Sequence, residues 1–133
     1  MKVLVDTCVW SQALRKHPGD ALVQTHLRTL IVAGRAEIIG PIRQELLSGI
    51  SRPEVFAQLR LRLTAFPDLP LTTAHFELAA ELANACRRSG IQGSPTDLLL
   101  CAVAKHEKMP IFTTDGDFAR YDQVIGLPLY EPG

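Results

Sequence analysis

Four stretches of the chain carry acidic side chains where predicted strands end or helices begin. Asp6 directly follows a short apolar run, and Asp115 and Asp117 follow a second one. Glu45 lies beside the apolar stripe of a predicted helix, and Asp97 lies in the first turn of another. Because elements that begin where parallel strands end share one rim of a sheet, we expect these carboxylates to gather there.

Carboxylates gathered this closely repel one another, so one of them stays protonated unless a cation neutralises the group. The candidate ligands are all oxygen atoms, with no His or Cys among them, which favours Mg²⁺ or Mn²⁺ over zinc. Each acid also has an ordinary interpretation by itself. Asp6 could cap a helix, Asp97 could form a capping box with Ser94, and Glu45 could be a solvated flank residue. Asp115 and Asp117, around a glycine, could form a simple turn.

Hydrophobic periodicity and turn residues predict strands that alternate with helices. The predicted strands span residues 3–5, 36–40 and 110–114, with a possible edge strand at 69–71 and a last short strand within 124–130. The predicted helices span residues 7–14, 22–34, 41–50, 53–65, 73–88 and 95–104, and residues 15–20 form a polar connection. This alternation predicts an α/β fold with a mostly parallel sheet covered on both faces.

The helix over residues 73–88 carries small side chains at helical spacing, and we expect its small face to pack closely against another helix. The residues of that face are Phe76, Ala79, Ala80, Ala83 and Cys86. Thr72 or Thr73 caps this helix, and Ser94-Pro95-Thr96-Asp97 is typical of the start of the next one. We expect the loop over residues 90–93 between them to be mobile.

Composition limits the class of protein. A chain of 133 residues that is 47% hydrophobic fits one globular domain, residues 1–133. Fourteen basic and fourteen acidic residues cancel, so no global charge attracts nucleic acid or a membrane surface. The three cysteines lack metal-binding spacing and are typical of core residues in a reducing compartment. No apolar run approaches the roughly 20 residues that span a membrane, so we expect a soluble, cytoplasmic protein.

The order and spacing of four short motifs resemble the PIN-domain nucleases, and in particular the VapC-type toxins of bacterial and archaeal toxin–antitoxin systems. The resemblance covers essentially the whole chain. The motifs are Val3-Leu4-Val5-Asp6-Thr7, Pro41-Ile42-Arg43-Gln44-Glu45-Leu46, Asp97-Leu98-Leu99-Leu100-Cys101-Ala102-Val103-Ala104 and Ile111-Phe112-Thr113-Thr114-Asp115-Gly116-Asp117-Phe118. This resemblance to the PIN-domain nucleases implies a PIN-like three-layer α/β/α sandwich.

The resemblance also implies a site and an activity. Asp6, Glu45, Asp97 and Asp115 would be catalytic and would hold Mg²⁺ or Mn²⁺, with Thr113 supporting them through its hydroxyl and Asp117 more peripheral. The expected activity is a metal-dependent endoribonuclease that hydrolyses phosphodiester bonds of a structured RNA such as a tRNA or rRNA. The expected partners are a second copy of the chain and a VapB-type antitoxin. The candidate phosphate contacts are Arg15, Lys16, Arg43, Arg52, Arg87, Arg88 and Arg120, although each could be a simple surface charge.

Three other classes compete with this interpretation. A receiver-like phosphoacceptor domain needs an acidic pair after its first strand, and Thr7 and Cys8 follow Asp6 instead. A haloacid-dehalogenase phosphatase needs a second acid two residues after the first, where Cys8 stands. A non-catalytic protein-interaction scaffold with the PIN fold is the serious alternative, and the presence of all four acids weighs against it.

Overall fold

A computed structural model of the protein describes residues 1–14 and 20–132. Nearly all of the predicted polar connection, with Arg15 and Lys16, lies outside these residues. The strands of the described part are Val3–Val5 (β1), Ala36–Glu37 (β2) and Ile111–Phe112 (β3). Its helices are Thr7–Leu14 (α1), Ala21–Val32 (α2), Gly40–Leu47 (α3), Pro53–Leu63 (α4), Thr73–Arg88 (α5), Pro95–Glu107 (α6) and Asp117–Ile125 (α7).

The strands form a parallel sheet in the order β2-β1-β3, with β1 in the centre. Leu4 pairs with Glu37 on one side and with Ile111 on the other. Successive side chains of a strand point to opposite faces, and all three side chains of β1 are fully buried. Helices therefore cover both faces of the sheet, which confirms the α/β/α sandwich.

The end of β1 places Asp6 at the rim of the sheet. The backbone N–H of Asp6 donates to Phe112 O in β3 at 2.9 Å, which completes the ladder. The carbonyl of Asp6 then accepts from the backbone N–H groups of Val9 and Trp10, so α1 begins at once. The indole Nε1 of Trp10 donates to Val5 O at 3.1 Å, which fastens the first turn of α1 to the strand.

Helix α6 is the buried centre of the α-helical layer that contains α5. Ser94 Oγ accepts from the backbone N–H of Asp97 at 3.1 Å, and Pro95 occupies the first turn, as the sequence predicts. Residues 98–104 are all buried, because this helix packs between the sheet and α5. Lys108 ends the helix in the left-handed conformation, with φ 57°.

Several predicted boundaries are wrong. Strand 36–40 stops at Glu37, because Gly40 already begins α3, and the helix predicted to residue 50 ends at Leu47. The possible edge strand at 69–71 is reduced to an isolated bridge between Ile38 and Asp68. The last strand predicted within 124–130 is likewise reduced to an isolated parallel bridge between Leu129 and Ile111, because residues up to Ile125 belong to α7.

The buried face of α5 overlaps the predicted one only in part. Cys86 is buried as predicted, but His75 is buried instead of Phe76, which is 53% exposed. Ala79 and Ala83 are partly buried against the core, so the predicted small face is only partly covered. Its outer part borders a groove instead of another helix. None of the described helices has both the length and the apolar character of a membrane span.

Arg43, a candidate phosphate contact, is occupied within the fold. Its Nε donates to Asp68 Oδ1 at 2.9 Å and its Nη1 to Leu63 O at 3.0 Å, while Nη2 donates to Phe66 O. The guanidinium thus satisfies carbonyl groups at the end of α4. Arg43 therefore has a structural role that makes it a poor candidate for binding RNA.

We expect Arg43→Met to lower the free energy of unfolding by about 2 kcal/mol, because Asp68 and two backbone carbonyls lose a charged donor. Urea unfolding followed by circular dichroism measures this effect. The control is Arg28→Met on the exposed side of α2, which should change stability by less than about 0.5 kcal/mol. Equal stability of the two variants would contradict the structural role of Arg43.

Candidate metal centre

The Asp6 carboxylate accepts three hydrogen bonds at the rim of the sheet. Its side chain is only 5% exposed, which is unusual for a carboxylate. Oδ1 accepts from the backbone N–H of Thr7 at 2.8 Å, and Oδ2 accepts from Thr113 Oγ1 at 2.8 Å. The Cys8 thiol also donates to Oδ2, at 3.5 Å. The helix start at α1 and the residue after β3 therefore fix this carboxylate together.

Three further acids lie together at the same rim. One carboxylate oxygen each from Asp97, Asp115 and Asp117 lies within 4.8 Å of the others. Thr113 Oγ1, which donates to Asp6, also accepts from the backbone N–H of Asp115 at 3.0 Å. The backbone N–H of Asp117 in turn donates to Asp115 Oδ1 at 2.9 Å. Thr113 therefore links the buried Asp6 to this group, and Asp117 is less peripheral than the sequence suggested.

Glu45 reaches the rim from α3. Its side chain is exposed, and its Oε1 accepts from Thr7 Oγ1 at 2.6 Å. Because the backbone N–H of the same threonine donates to Asp6, Thr7 connects Glu45 to the buried carboxylate. The structure thus brings all four predicted acids to one rim, with Asp97 and Asp115 in direct proximity and Asp6 and Glu45 joined to the network through threonines.

Two of the carboxyl groups at this rim, those of Asp6 and Asp97, have raised pKa values. Burial raises the pKa of Asp6, and the charge of Asp115 adds to the rise, while hydrogen bonds from Thr113, Thr7 and Cys8 oppose it. Burial also raises the pKa of Asp97, with a contribution from the charges of Asp6 and Asp115, and the hydrogen bond from Tyr121 opposes that rise. The rim is therefore an electrostatically costly arrangement that a cation would relieve.

A family profile for the PIN domain matches residues 3–124 of the chain. This chain belongs to the PIN-domain family. Among curated relatives, a VapC ribonuclease of Mycobacterium bovis and the ribonuclease VapC11 of Mycobacterium tuberculosis are each 30% identical to it over 127 residues. Each match covers 94% of this chain and 95% of the relative, so the likeness to these VapC ribonucleases extends over nearly the whole chain.

Solved structures share the fold of this PIN domain. FitAcB from Neisseria gonorrhoeae matches with a TM-score of 0.78 and 21% identity, covering 97% of this chain and 96% of the other. VapBC2 from Rickettsia felis, bound to a DNA fragment from its promoter, matches with a TM-score of 0.77 and 19% identity, covering 98% of both chains. VapBC-5 from Mycobacterium tuberculosis, a member of the VapBC family of toxin–antitoxin systems, matches with a TM-score of 0.68 and 20% identity, covering 99% of this chain and 100% of the other. At these identities the likeness establishes the fold.

The donor set of this PIN domain fits a hard divalent cation. Asp97, Asp115 and Asp117 offer carboxylate oxygens within 4.8 Å of one another, and buried Asp6 adds a negative charge to the same rim. Carboxylate oxygens are the ligands that Mg²⁺ and Mn²⁺ take in proteins. The four acids named from the sequence remain a prediction as a ligand set.

Sequence reasoning missed three side chains at this rim. Thr7 and Cys8 follow Asp6 directly, and their place in the first turn of a helix after a strand was the available signal. Tyr121 is buried in α7, and its Oη donates to Asp97 Oδ2 at 2.8 Å. Burial and the neighbouring Asp97 raise the pKa of the Tyr121 phenol, so it stays a donor. Because α7 was not predicted, this tyrosine was not placed near the acids; the helical spacing of Phe118, Tyr121 and Ile125 was the available signal.

A second cluster of possible ligands, His75, His106 and Glu107, lies where α5 begins and α6 ends. Nδ1 of His75 accepts from the backbone N–H of Thr72 at 2.9 Å, which places the ring proton on Nε2. Nε2 donates to Glu107 Oε1 at 2.9 Å, and this bond lowers the pKa of Glu107. Because both ring nitrogens are used, His75 serves as a helix cap and is a poor metal ligand.

Proposed function

We propose that the protein is a metal-dependent endoribonuclease that acts as the toxin of a toxin–antitoxin pair. One observation carries the proposal: a carboxylate that is only 5% exposed, Asp6, lies at a sheet rim that also holds Asp97 and Asp115, in a VapC-like PIN domain. Folding gains nothing from gathering like charges, so their proximity indicates a function that needs them.

Asp6, Asp97, Asp115 and Glu45 are the residues that would hold Mg²⁺ or Mn²⁺. When bound, such an ion lowers the pKa of a water molecule and stabilises charge on phosphoryl oxygens. The protein contributes the fixed positions of the ligands. Thr113 restrains Asp6 and the Asp115 backbone at once, and Thr7 restrains Asp6 and Glu45.

Glu45 has a second possible role in the same reaction. Like Asp115, it is an exposed acid. Among the contacts of the described residues, only its Oε1 is held, by Thr7. A carboxylate in this position can orient the attacking water through Oε2. In the proposed reaction, water would form a bond to phosphorus and the bond from phosphorus to the 3′-oxygen would break, which leaves a 5′-phosphate and a 3′-hydroxyl. The RNA 2′-hydroxyl would take no part.

The substrate that the relatives support is RNA, because the curated relatives are named ribonucleases. A tRNA or rRNA loop would expose unpaired nucleotides to a shallow rim of this kind. VapBC-5, which shares the fold, is described as a member of a family of toxin–antitoxin systems. This likeness supports a VapB-type antitoxin as the partner of this chain.

The exposed side of α5 supports a homodimer as well. Phe76 is 53% exposed beside a groove of about 380 Å³ that Ala80, Ala83 and Pro95 also line. Exposed Glu77 and Glu81 lie on the N-terminal side of the last turn of this helix, which carries Arg87 and Arg88, also exposed. Two antiparallel copies of α5 would place the acidic part of each helix towards the basic end of the other about a twofold axis, which makes a second copy the occupant that fits this surface.

We expect Phe76→Glu to convert the dimer into a monomer, because it places a charge at the apolar centre of the proposed interface. Sedimentation equilibrium at micromolar concentration measures the mass. The matched control is Val32→Glu on α2, where the native side chain is 83% exposed. A wild-type monomer, or a Phe76→Glu variant as dimeric as the control, would contradict the α5 interface.

End-labelled total RNA tests the proposed activity. The antitoxin-free protein is incubated with Mg²⁺, with Mn²⁺ or with EDTA, beside an Asp115→Asn variant. We expect discrete fragments with 5′-phosphate ends in the presence of either metal, none with EDTA and far fewer with the variant. The contrary result is folded wild-type protein that leaves all RNA intact with both metals, isolated tRNA and rRNA included. That result would favour the non-catalytic scaffold.

A further inference from the structure

Tyr121 is a buried phenol whose hydroxyl contacts the proposed metal centre. The residue is 2% exposed, and its Oη donates to Asp97 Oδ2 at 2.8 Å. Its ring packs edge-to-face on Phe118, with centroids 5.3 Å apart and an interplanar angle of 76°. A buried tyrosine needs a partner for its hydroxyl, and here that partner is one of the four acids.

The loop before α6 is shaped to accept this ring. A Cβ atom on Gly93 would lie 3.0 Å from Tyr121 Cε1 and 2.0 Å from Leu98 Cδ2. Real Cβ atoms do not approach other atoms as closely as 2.0 Å, so only glycine fits there without a shift of Leu98. The phenol is therefore held between its own helix, α7, and the backbone that leads into the helix carrying Asp97.

Two side chains act on Asp97. Its backbone N–H donates to Ser94 Oγ at 3.1 Å, and the Ser94 hydroxyl has a smaller effect than Tyr121 on the pKa of the carboxyl. The 2.8 Å bond from Tyr121 is the stronger restraint on the orientation of the carboxylate. A hydrogen bond to an ionised oxygen is roughly twice as strong as a neutral one, and it selects one oxygen as its acceptor. The Tyr121 hydroxyl donates to Oδ2, so Oδ1 of the same carboxylate can bind another partner.

We propose that Tyr121 is a positioning residue for Asp97: its hydroxyl holds Oδ2 so that Oδ1 is presented to the divalent cation. This inference rests on the proposed metal-dependent function. Tyr121 acts through Asp97 and touches neither water nor RNA in the reaction. Residues in such outer positions commonly change metal affinity or activity by about 10- to 100-fold when they are replaced.

Tyr121→Phe tests the role, because it removes the hydroxyl and keeps the ring that packs on Phe118. Mn²⁺ affinity is measured by electron paramagnetic resonance of the free ion, without RNA, and the kinetic constants are measured separately. We expect Mn²⁺ to bind about tenfold more weakly and kcat to fall at subsaturating metal, with KM for RNA unchanged. Rescue of kcat by excess Mn²⁺ is a further expected result.

The matched control is Tyr130→Phe, which removes the other phenol hydroxyl of the chain, from a ring that packs on Phe112. It should leave Mn²⁺ affinity and kcat at the wild-type values. If Tyr121→Phe melts at a lower temperature but binds Mn²⁺ like the wild type, Tyr121 is only a packing residue and the inference is wrong. A wild type that neither binds Mn²⁺ nor cleaves RNA overturns the proposed function and, with it, the inference.

Discussion

Asp6→Asn is expected to remove RNA cleavage and, at the same time, to make the metal-free protein more stable. Cleavage should fall by roughly 10²- to 10³-fold, the scale of losing one group that stabilises the transition state. The melting temperature without metal should rise by about 3 to 5 °C at neutral pH, as about 1 kcal/mol gives in a domain of this size. The stability gain follows because burial raises the pKa of Asp6, so its ionised form opposes folding.

The amide can keep most of the bonds of the carboxylate. Its oxygen still accepts from the backbone N–H of Thr7, and its NH₂ group can donate to Thr113 Oγ1 with the direction of that bond reversed. The weak bond from the Cys8 thiol to Oδ2 is lost, because the NH₂ group accepts no hydrogen bond. Calorimetry with EDTA measures the melting temperature, and the RNA assay with Mg²⁺ measures cleavage. Asp20→Asn is the control, because asparagine caps α2 as well as aspartate does and removes the same charge. An Asp6→Asn variant that melts below the wild type in EDTA would contradict the electrostatic account.

The stability of the metal-free protein is expected to decrease, relative to Asp6→Asn, as pH rises. Asp6 and Asp97 have pKa values that are raised in the folded state above the ordinary aspartate value. Their contribution to stability is fully present below the unfolded pKa and is lost as pH rises through the folded pKa. Glu107 acts in the opposite direction, because its lowered pKa adds stability that is lost as pH falls.

The melting temperatures of the wild type and Asp6→Asn are measured in EDTA from about pH 4 to pH 8. Their difference separates the contribution of Asp6 from that of Glu107, because Glu107 is common to both proteins. The gap between the two curves should widen towards neutral pH. Mg²⁺ at about 100 times its dissociation constant should stabilise the wild type by about 2.7 kcal/mol and close the gap, with little effect on the variant. A gap that is constant with pH and unaffected by Mg²⁺ would contradict the account.

The positions of Asp6 and Asp115 could be predicted from the sequence, because an apolar run followed by an acid indicates a buried strand that ends at the rim of a parallel sheet. The start of α6 was equally clear from Ser94 and Pro95, which both structure and sequence place at its first turn. These predictions depend on local patterns that tertiary contacts did not override.

The position of Tyr121 and the buried face of α5 were not predicted correctly, because they depend on tertiary contacts. Helix α7 carries Phe118, Tyr121 and Ile125 at helical spacing, but Val124 and Ile125 together with Gly126 favour an extended tail, so Tyr121 was not placed at the site. The buried face of α5 was predicted only in part because it includes His75. A buried histidine needs partners for both ring nitrogens, and here one partner is the local cap residue Thr72 while the other is the distant Glu107.

We propose that the acids at the rim of the sheet hold the catalytic cation. Anomalous scattering of Mn²⁺ in a crystal of the protein grown with Mn²⁺ tests this directly. We expect a peak within about 2.5 Å of carboxylate oxygens of Asp97 and Asp115, with Asp6 beside it, and no such peak in crystals of Asp6→Asn grown with the same Mn²⁺. A peak only at His75, His106 and Glu107, or none in crystals of protein that cleaves RNA, would contradict it.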